Sequence, residues 1–288
     1  MTKLIALKDR GIIKVAGPDA IGFLNNLITN NMELLNKEKA IFAGLLTPQG
    51  KIAYEFFVVR VGDTYLLELV GTALSDLMKK LMLYKLRANV SLEDASNLYE
   101  IFSLGGGEIE ASLINSVVFK DPRSDAMGWR VYLPKGETLN IEGLESGSFG
   151  DYDRLRLSAE MPEGGVDYPL GDCFPHEAAF DQLEAIDFKK GCYVGQEVVS
   201  RMEHRGTARK RIVRIIGGGE LPATGSEIRS ENSLIGVLGT SCGADGLALV
   251  RLDRVAKALS NGDQIMVENV TVEVAMPSWA EYNIPEIS

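Results

Sequence analysis

The chain has 288 residues, with thirty Lys and Arg against forty Asp and Glu for a formal charge of −10. Hydrophobic residues make up 45% and proline is sparse at ten, which excludes a disordered or fibrous protein. The acidic balance repels phosphates, so a general nucleic-acid binder is excluded too. At about 100 to 200 residues per domain the length predicts two or three compact units. Cys173, Cys192 and Cys242 are odd in number and widely spaced. That is not the disulfide framework of a secreted domain and points to a reducing compartment. Residues 1–14 carry Lys3, Lys8, Asp9, Arg10 and Lys14 without an apolar stretch, and no segment approaches the ~18 apolar residues of a membrane span. The expectation is a cytoplasmic protein that does not touch membranes.

Gly17-Pro18-Asp19 precedes Ile21, Leu24, Leu27 and Ile28, a helical spacing opened by proline and an acid. Three β-rich runs follow, residues 40–46, 52–61 and 64–70, separated by Thr47-Pro48-Gln49-Gly50 and Gly62-Asp63. They predict an antiparallel meander. Leu74, Leu77, Leu81, Tyr84 and Ala88 return to helical period, leaving Lys79, Lys80, Lys85 and Arg87 for solvent. Strands are expected at 99–104, 117–120 and 129–133, a mixture that favours α+β over a repeating βαβ fold. After Arg211, short apolar runs at 212–216, 233–240, 247–252, 264–267 and 270–274 alternate with glycine-rich turns, the texture of a separate small β-barrel or sandwich.

The most unusual local sequence is Lys189-Lys190-Gly191-Cys192-Tyr193-Val194-Gly195-Gln196-Glu197. Downstream, residues 201–214 hold six Lys or Arg and one acid, Glu203, a local charge of +5. Cations lower a thiol's pKa and glycines admit close backbone approach, so Cys192 is a candidate reactive thiolate. The competing reading makes Cys192 a small packed hydrophobe and Arg209-Lys210-Arg211 a charged strand edge. Gly105-Gly106-Gly107 and Gly217-Gly218-Gly219 lack phosphate-loop or dinucleotide spacing and read as turns. His176 and His204, without CxxC or HExxH, make no metal site. Asp151, Asp153 and Asp167 read as turn and cap residues.

The stretch K-G-C-Y-V-G-Q-E at 190–197 resembles the signature of the YgfZ-like folate-binding proteins. These are relatives of the glycine-cleavage T-protein (aminomethyltransferase-like) and of mitochondrial iron–sulfur assembly factors. The resemblance extends to Thr47-Pro48-Gln49-Gly50-Lys51, Asp121-Pro122-Arg123, Gly128-Trp129-Arg130, Tyr152-Asp153-Arg154-Leu155-Arg156, and the stretches 236–241 and 248–251. It implies an α+β fold arranged as a three-domain ring. Residues 1–45 with 145–205 would form a discontinuous first α+β domain, 46–144 a second, ferredoxin-like one, and 206–288 the C-terminal β-barrel. It implies tetrahydrofolate or a derivative as cofactor and a role in making or repairing iron–sulfur clusters. Partners would be iron–sulfur assembly or client proteins. Any effect on tRNA modification would run through iron–sulfur enzymes, without direct nucleic-acid contact.

The same resemblance nominates site residues. Cys192 would be the reactive thiolate, supported by Lys190. Arg123, Trp129, Gly191, Tyr193, Gly195, Gln196, Glu197, Arg201 and Arg205 would hold the cofactor, with guanidinium groups on folate carboxylates and Trp129 against the pterin. The transferase's acidic pair falls at Ala53-Tyr54-Glu55, where only Glu55 keeps an acid. Its pterin-recognising acid falls at Ala126-Met127. Glycine-cleavage activity is therefore not expected, and the transferase lacks the cysteine motif. The alternative reading is a folate-dependent one-carbon transferase or demethylase acting on a small amine. A third reading is a scaffold for cluster proteins with folate merely structural.

Overall fold

The structure, a computed structural model, describes residues 3–105, 116–139, 143–206, 208–231 and 233–286. The chain divides into two compact units. The first holds residues 1–152 and 183–196, the second residues 153–182 and 197–288.

The first unit opens with β1 (Lys3–Ala6), β2 (Arg10–Ala16) and α1 (Ala20–Asn25). The predicted first helix is therefore short, and Asp19 does not cap it. Its carboxylate accepts instead from the Asn89 amide at 2.7 Å. The meander appears as β3 (Ala40–Leu46), β4 (Ile52–Val61) and β5 (Thr64–Val70). The predicted amphipathic helix is α2 (Gly71–Lys85), followed by β6 (Ser91–Asp94), β7 (Tyr99–Gly105), β8 (Val117–Lys120), β9 (Trp129–Pro134) and β10 (Glu145–Gly147). Gly106 and Gly107 of the first glycine triplet lie outside the described residues.

Two five-stranded sheets result, with orders β3-β4-β5-β2-β6 and β10-β1-β7-β9-β8. Period-two alternation gives the first sheet two buried faces. Ile13, Val15, Ala43, Leu45, Phe56, Val58 and Leu67 join one core with Leu24 and with Leu74, Leu77 and Leu81 of α2. On the opposite face Phe42, Phe57 and Glu68 lie in one cross-strand row. That row meets the second sheet: Phe57 stands 6.1 Å from the Phe119 ring, and the Arg130 guanidinium lies 4.9 Å over Phe57.

This layer carries buried charge. Arg123 closes on Asp121 with two side-chain hydrogen bonds of 2.8 and 3.0 Å, and Arg130 lies 3.6 Å from both Asp121 and Glu68. Burial alone would push the Asp121 pKa up, but Arg123 and Arg130 outweigh it and hold the carboxyl below its ordinary 3.8. Charges this deep persist only when paired.

The helix α3 (Phe149–Ser158) follows β10, and Asp151, one of the three acids read as caps, sits in its first turn and accepts from the Ser148 amide at 2.8 Å. In the second unit come α4 (Gln196–Arg205), β11 (Lys210–Gly217), β12 (Glu227–Ser230), β13 (Ser233–Cys242), β14 (Asp245–Arg251), α5 (Leu252–Asn261), β15 (Ile265–Val267) and β16 (Val270–Ala275). The six strands close into a barrel in the order β11-β14-β13-β12-β15-β16, so the fold is α+β with a C-terminal β-barrel. β11 pairs with β14 from Lys210 onward but with β16 only from Arg214 to Gly217, so Lys210 and Arg211 have a ladder partner on one side only. Arg211 is also tied to Asp181 at 2.8 Å. Asp167 is more than a turn residue: it is buried at 3% exposure and paired with Arg156 at 2.8 Å.

Candidate functional site

The segment that follows Ala185 runs back over the first unit and is fastened there by backbone and side-chain bonds. The Asp187 amide donates to the Thr29 carbonyl at 3.1 Å. Asp187 Oδ1 accepts from the amides of Lys189 (2.7 Å) and Lys190 (3.2 Å), an Asx-type turn, and its Oδ2 accepts from Asn31 Nδ2 at 2.9 Å. Thr29 Oγ1 donates to the Ala185 carbonyl at 2.7 Å, and Asn30 Nδ2 to that of Glu184 at 2.7 Å.

Lys190 completes the anchor. Its Nζ donates to the carbonyls of Asn25 (2.7 Å), Ile28 (2.9 Å) and Asn30 (2.5 Å), which terminate α1 and the turn after it. An ammonium has three N–H donors, and all three are used. Burial lowers the Lys190 pKa to about 8, so at neutral pH the group is mostly cationic. Lys190 therefore holds the loop and lends it a positive charge.

Beyond Lys190 the loop divides into an exposed tip and a packed return. Gly191 and Cys192 are exposed, and a Cβ at Gly191 would meet nothing within 4 Å. Tyr193 is buried, its ring 5.4 Å from the Lys190 ammonium, and burial raises its hydroxyl pKa. Val194 packs on the core of the first sheet. Gly195 has φ +80, and a Cβ there would lie 2.7 Å from the Thr47 carbonyl, so only glycine passes this point without strain. The cysteine loop and the Thr47-Pro48-Gln49-Gly50 turn, separate in sequence, thus pack together. Gln196 is half-buried, its amide 3.3 Å from the Tyr193 carbonyl.

The other nominated residues lie on other elements. Glu55 is half-buried on β4 opposite Gly44. Arg123 is buried, paired with Asp121 and lying 5.1 and 4.9 Å over the rings of Phe42 and Phe57. Trp129 is half-buried on β9, with the Lys120 ammonium 5.7 Å over its face. Glu197, Arg201 and Arg205 belong to the second unit, where α4 exposes all three and Arg201 donates to Glu197 at 2.6 Å. Sequence reasoning missed Asp187, although an acid followed by amides two and three residues on carries an Asx-turn signal. It also missed Asn25, Thr29 and Asn30, whose carbonyls and side chains meet the loop across more than 150 residues of chain and leave no local pattern.

Comparison with known proteins follows the same division of the chain. Residues 3–132 match the family model described as the GCVT N-terminal domain, and residues 209–282 match CAF17, C-terminal beta-barrel domain. The chain belongs to the glycine-cleavage T-protein superfamily. Within it, the chain is related to mitochondrial iron–sulfur cluster assembly factors named IBA57. It is 31% identical to the Mycosarcoma maydis homologue over 73% of this chain and 56% of that one. It is 28% identical to the mouse and human proteins over 95% of this chain and 84% of each. The crystal structure of the glycine cleavage system aminomethyltransferase T from Bartonella henselae shares the fold, with TM-score 0.80 at 16% identity over 97% of this chain and 86% of that one.

These relatives overturn the cytoplasmic expectation, because their names place them in mitochondria. Free cysteines distinguish reducing from oxidising surroundings. They do not distinguish one reducing compartment from another.

Proposed function

We propose that this member of the superfamily is a tetrahydrofolate-binding accessory factor in iron–sulfur cluster assembly or repair, with Cys192 as the group it presents. The relatives named as cluster assembly factors support the process. The observation that carries the residue is the contrast within one loop: Cys192 is exposed, while Asp187, Lys190, Tyr193 and Gly195 on either side are fixed. A surface thiol on a rigid mount can reach an iron held by another protein, and thiolate sulfur is the ligand that iron–sulfur chemistry prefers. The thiol proton leaves to solvent as the sulfur–iron bond forms.

The residues present suit the anionic end of a folate. Arg201 and Arg205 stand one turn apart on α4, both exposed. The Arg201–Glu197 pair is a solvent-exposed bridge, worth only about 0.3–0.5 kcal/mol and readily exchanged for a ligand carboxylate. Arg123 does not suit a folate carboxylate, since Asp121 already accepts from its guanidinium. When bound, tetrahydrofolate supplies a one-carbon carrier and a reducing pterin. The chain's own residues bind it and hold the thiol.

Anaerobic calorimetry of tetrahydrofolate binding tests the reading. Saturable binding that survives Cys192→Ala and weakens about tenfold in Arg201→Ala/Arg205→Ala is expected. Absence of binding to the unaltered protein would remove the cofactor from the account.

A further inference from the structure

The second unit carries a groove of about 600 Å³ between residues 165–169 and the outer surface of the barrel. Val166, Tyr168, Pro169, Leu234, Val237 and Leu249 line it. The barrel's own core takes Ile235, Leu238, Ala248 and Val250 inward. Outward strand positions are ordinarily polar, yet Val237 is 43% exposed, Leu234 36% and Val166 41%. Apolar residues held this open to water form a shallow trough, the shape that receives a strip of another chain.

The trough is built into the fold. Asp167 Oδ1 accepts from the Thr240 amide at 2.7 Å, and its Oδ2 from Arg156 Nη1 and the Glu163 amide at 2.8 Å each. A Cβ at Gly239 would stand 2.4 Å from Asp167, so glycine admits the loop against the strand. The wall is thereby fixed in advance, and a ligand entering the trough need not order it.

Charge selects the occupant. Lys210, Arg251 and Arg254 line the groove, and Lys210 and Arg251 are direct cross-strand partners, where like charges repel. Asp253 relieves Arg251 at 2.7 Å, and Arg254 donates to the Leu234 carbonyl. Lys210 makes no side-chain hydrogen bond or ion pair among the described residues. The acid in the lining, Asp167, is buried and paired with Arg156 at 2.8 Å, a guanidinium that also meets Asp153 and Glu163. A cationic end is thus kept on a chain whose net charge is −10.

We propose that this groove docks an extended peptide segment of a partner protein, its apolar side chains seated on Val166, Leu234 and Val237 and its flanking Asp or Glu residues on Lys210, Arg251 and Arg254. The inference is independent of folate and of Cys192.

Selection of short random peptides displayed against the full-length protein tests it. Enrichment of sequences that combine Leu, Ile or Phe with Asp or Glu is expected. A synthetic, fluorescently labelled member of the enriched set should bind about tenfold or more weakly to Val237→Asp and to Arg251→Glu/Arg254→Glu. Val237 is surface-exposed, so its variant should keep the wild-type circular dichroism spectrum, and Cys192→Ala should bind as the wild type does. Enrichment of basic peptides, no enrichment, or binding unchanged in both groove variants would overturn the proposal. So would variant-sensitive binding of the small amphipathic anion 1-anilinonaphthalene-8-sulfonate without peptide binding, which would make the groove a small-molecule site.

Discussion

Lys190 donates to the carbonyl of Ile28 at 2.9 Å, joining the segment that carries Cys192 to the end of α1 across 162 residues of sequence. Two more carbonyls, of Asn25 and Asn30, share the same ammonium. Replacement by Met keeps the apolar stem and leaves three backbone acceptors without their donor. An unsatisfied buried polar group costs about 1–3 kcal/mol, and local relaxation recovers part of it, so Lys190→Met should lower stability by about 2–4 kcal/mol. Urea unfolding measures this. A change within about 0.5 kcal/mol, the size of an ordinary surface substitution, would show that the anchor is unimportant to the fold.

The two glycines of the loop should behave oppositely. Gly195→Ala forces a Cβ against the Thr47 carbonyl at positive φ and should cost about 1–3 kcal/mol in thermal unfolding. At Gly191 the added methyl meets nothing, so Gly191→Ala should leave stability within about 0.5 kcal/mol of wild type. Loss of cellular function in Gly191→Ala with stability intact would mark the tip as a place where another molecule comes close.

Asp121 should govern part of the acid limb of stability. Its native pKa lies below its ordinary 3.8 because Arg123 and Arg130 outweigh burial. The unfolded chain therefore binds the proton more readily. The contribution is complete above about pH 4 and is lost as the pH falls through the lower native value. Asp121→Asn should remove about 3–5 kcal/mol at neutral pH, because a buried guanidinium then lacks its partner. It should also flatten the fall in stability below pH 4, which urea midpoints measured across that range would reveal.

Much of the fold is legible locally. The runs at 40–46, 52–61 and 64–70 are largely continuous apolar, β-rich stretches and are β3, β4 and β5, as expected of strands buried on both faces. Leu74, Leu77 and Leu81 mark α2 by their helical spacing. The strand expected at 247–252 stops at Arg251, and Leu252 opens α5. There a continuous apolar run hid the helical spacing of Leu252, Val255 and Ala256. Helix α4 carries little apolar signal, its buried stripe being little more than Val199. The cysteine loop stood out by composition, but its mounting did not. Asn30 and Lys190 carry no mutual signal, since their contact depends on how α1 and the returning segment are folded. The Arg123–Asp121 pair belongs to the same class: its burial is a property of two packed sheets, which a three-residue motif does not encode.

The measurement that tests the central claim most directly is the activity of an endogenous iron–sulfur enzyme in cells whose sole copy of this protein is Cys192→Ser. Cys192 is exposed, so the variant should keep wild-type stability and abundance. The account predicts that the iron–sulfur enzyme then falls to the level of cells lacking the protein. Full enzyme activity at normal abundance of the variant would contradict it, and would leave the anchored loop with a structural role alone.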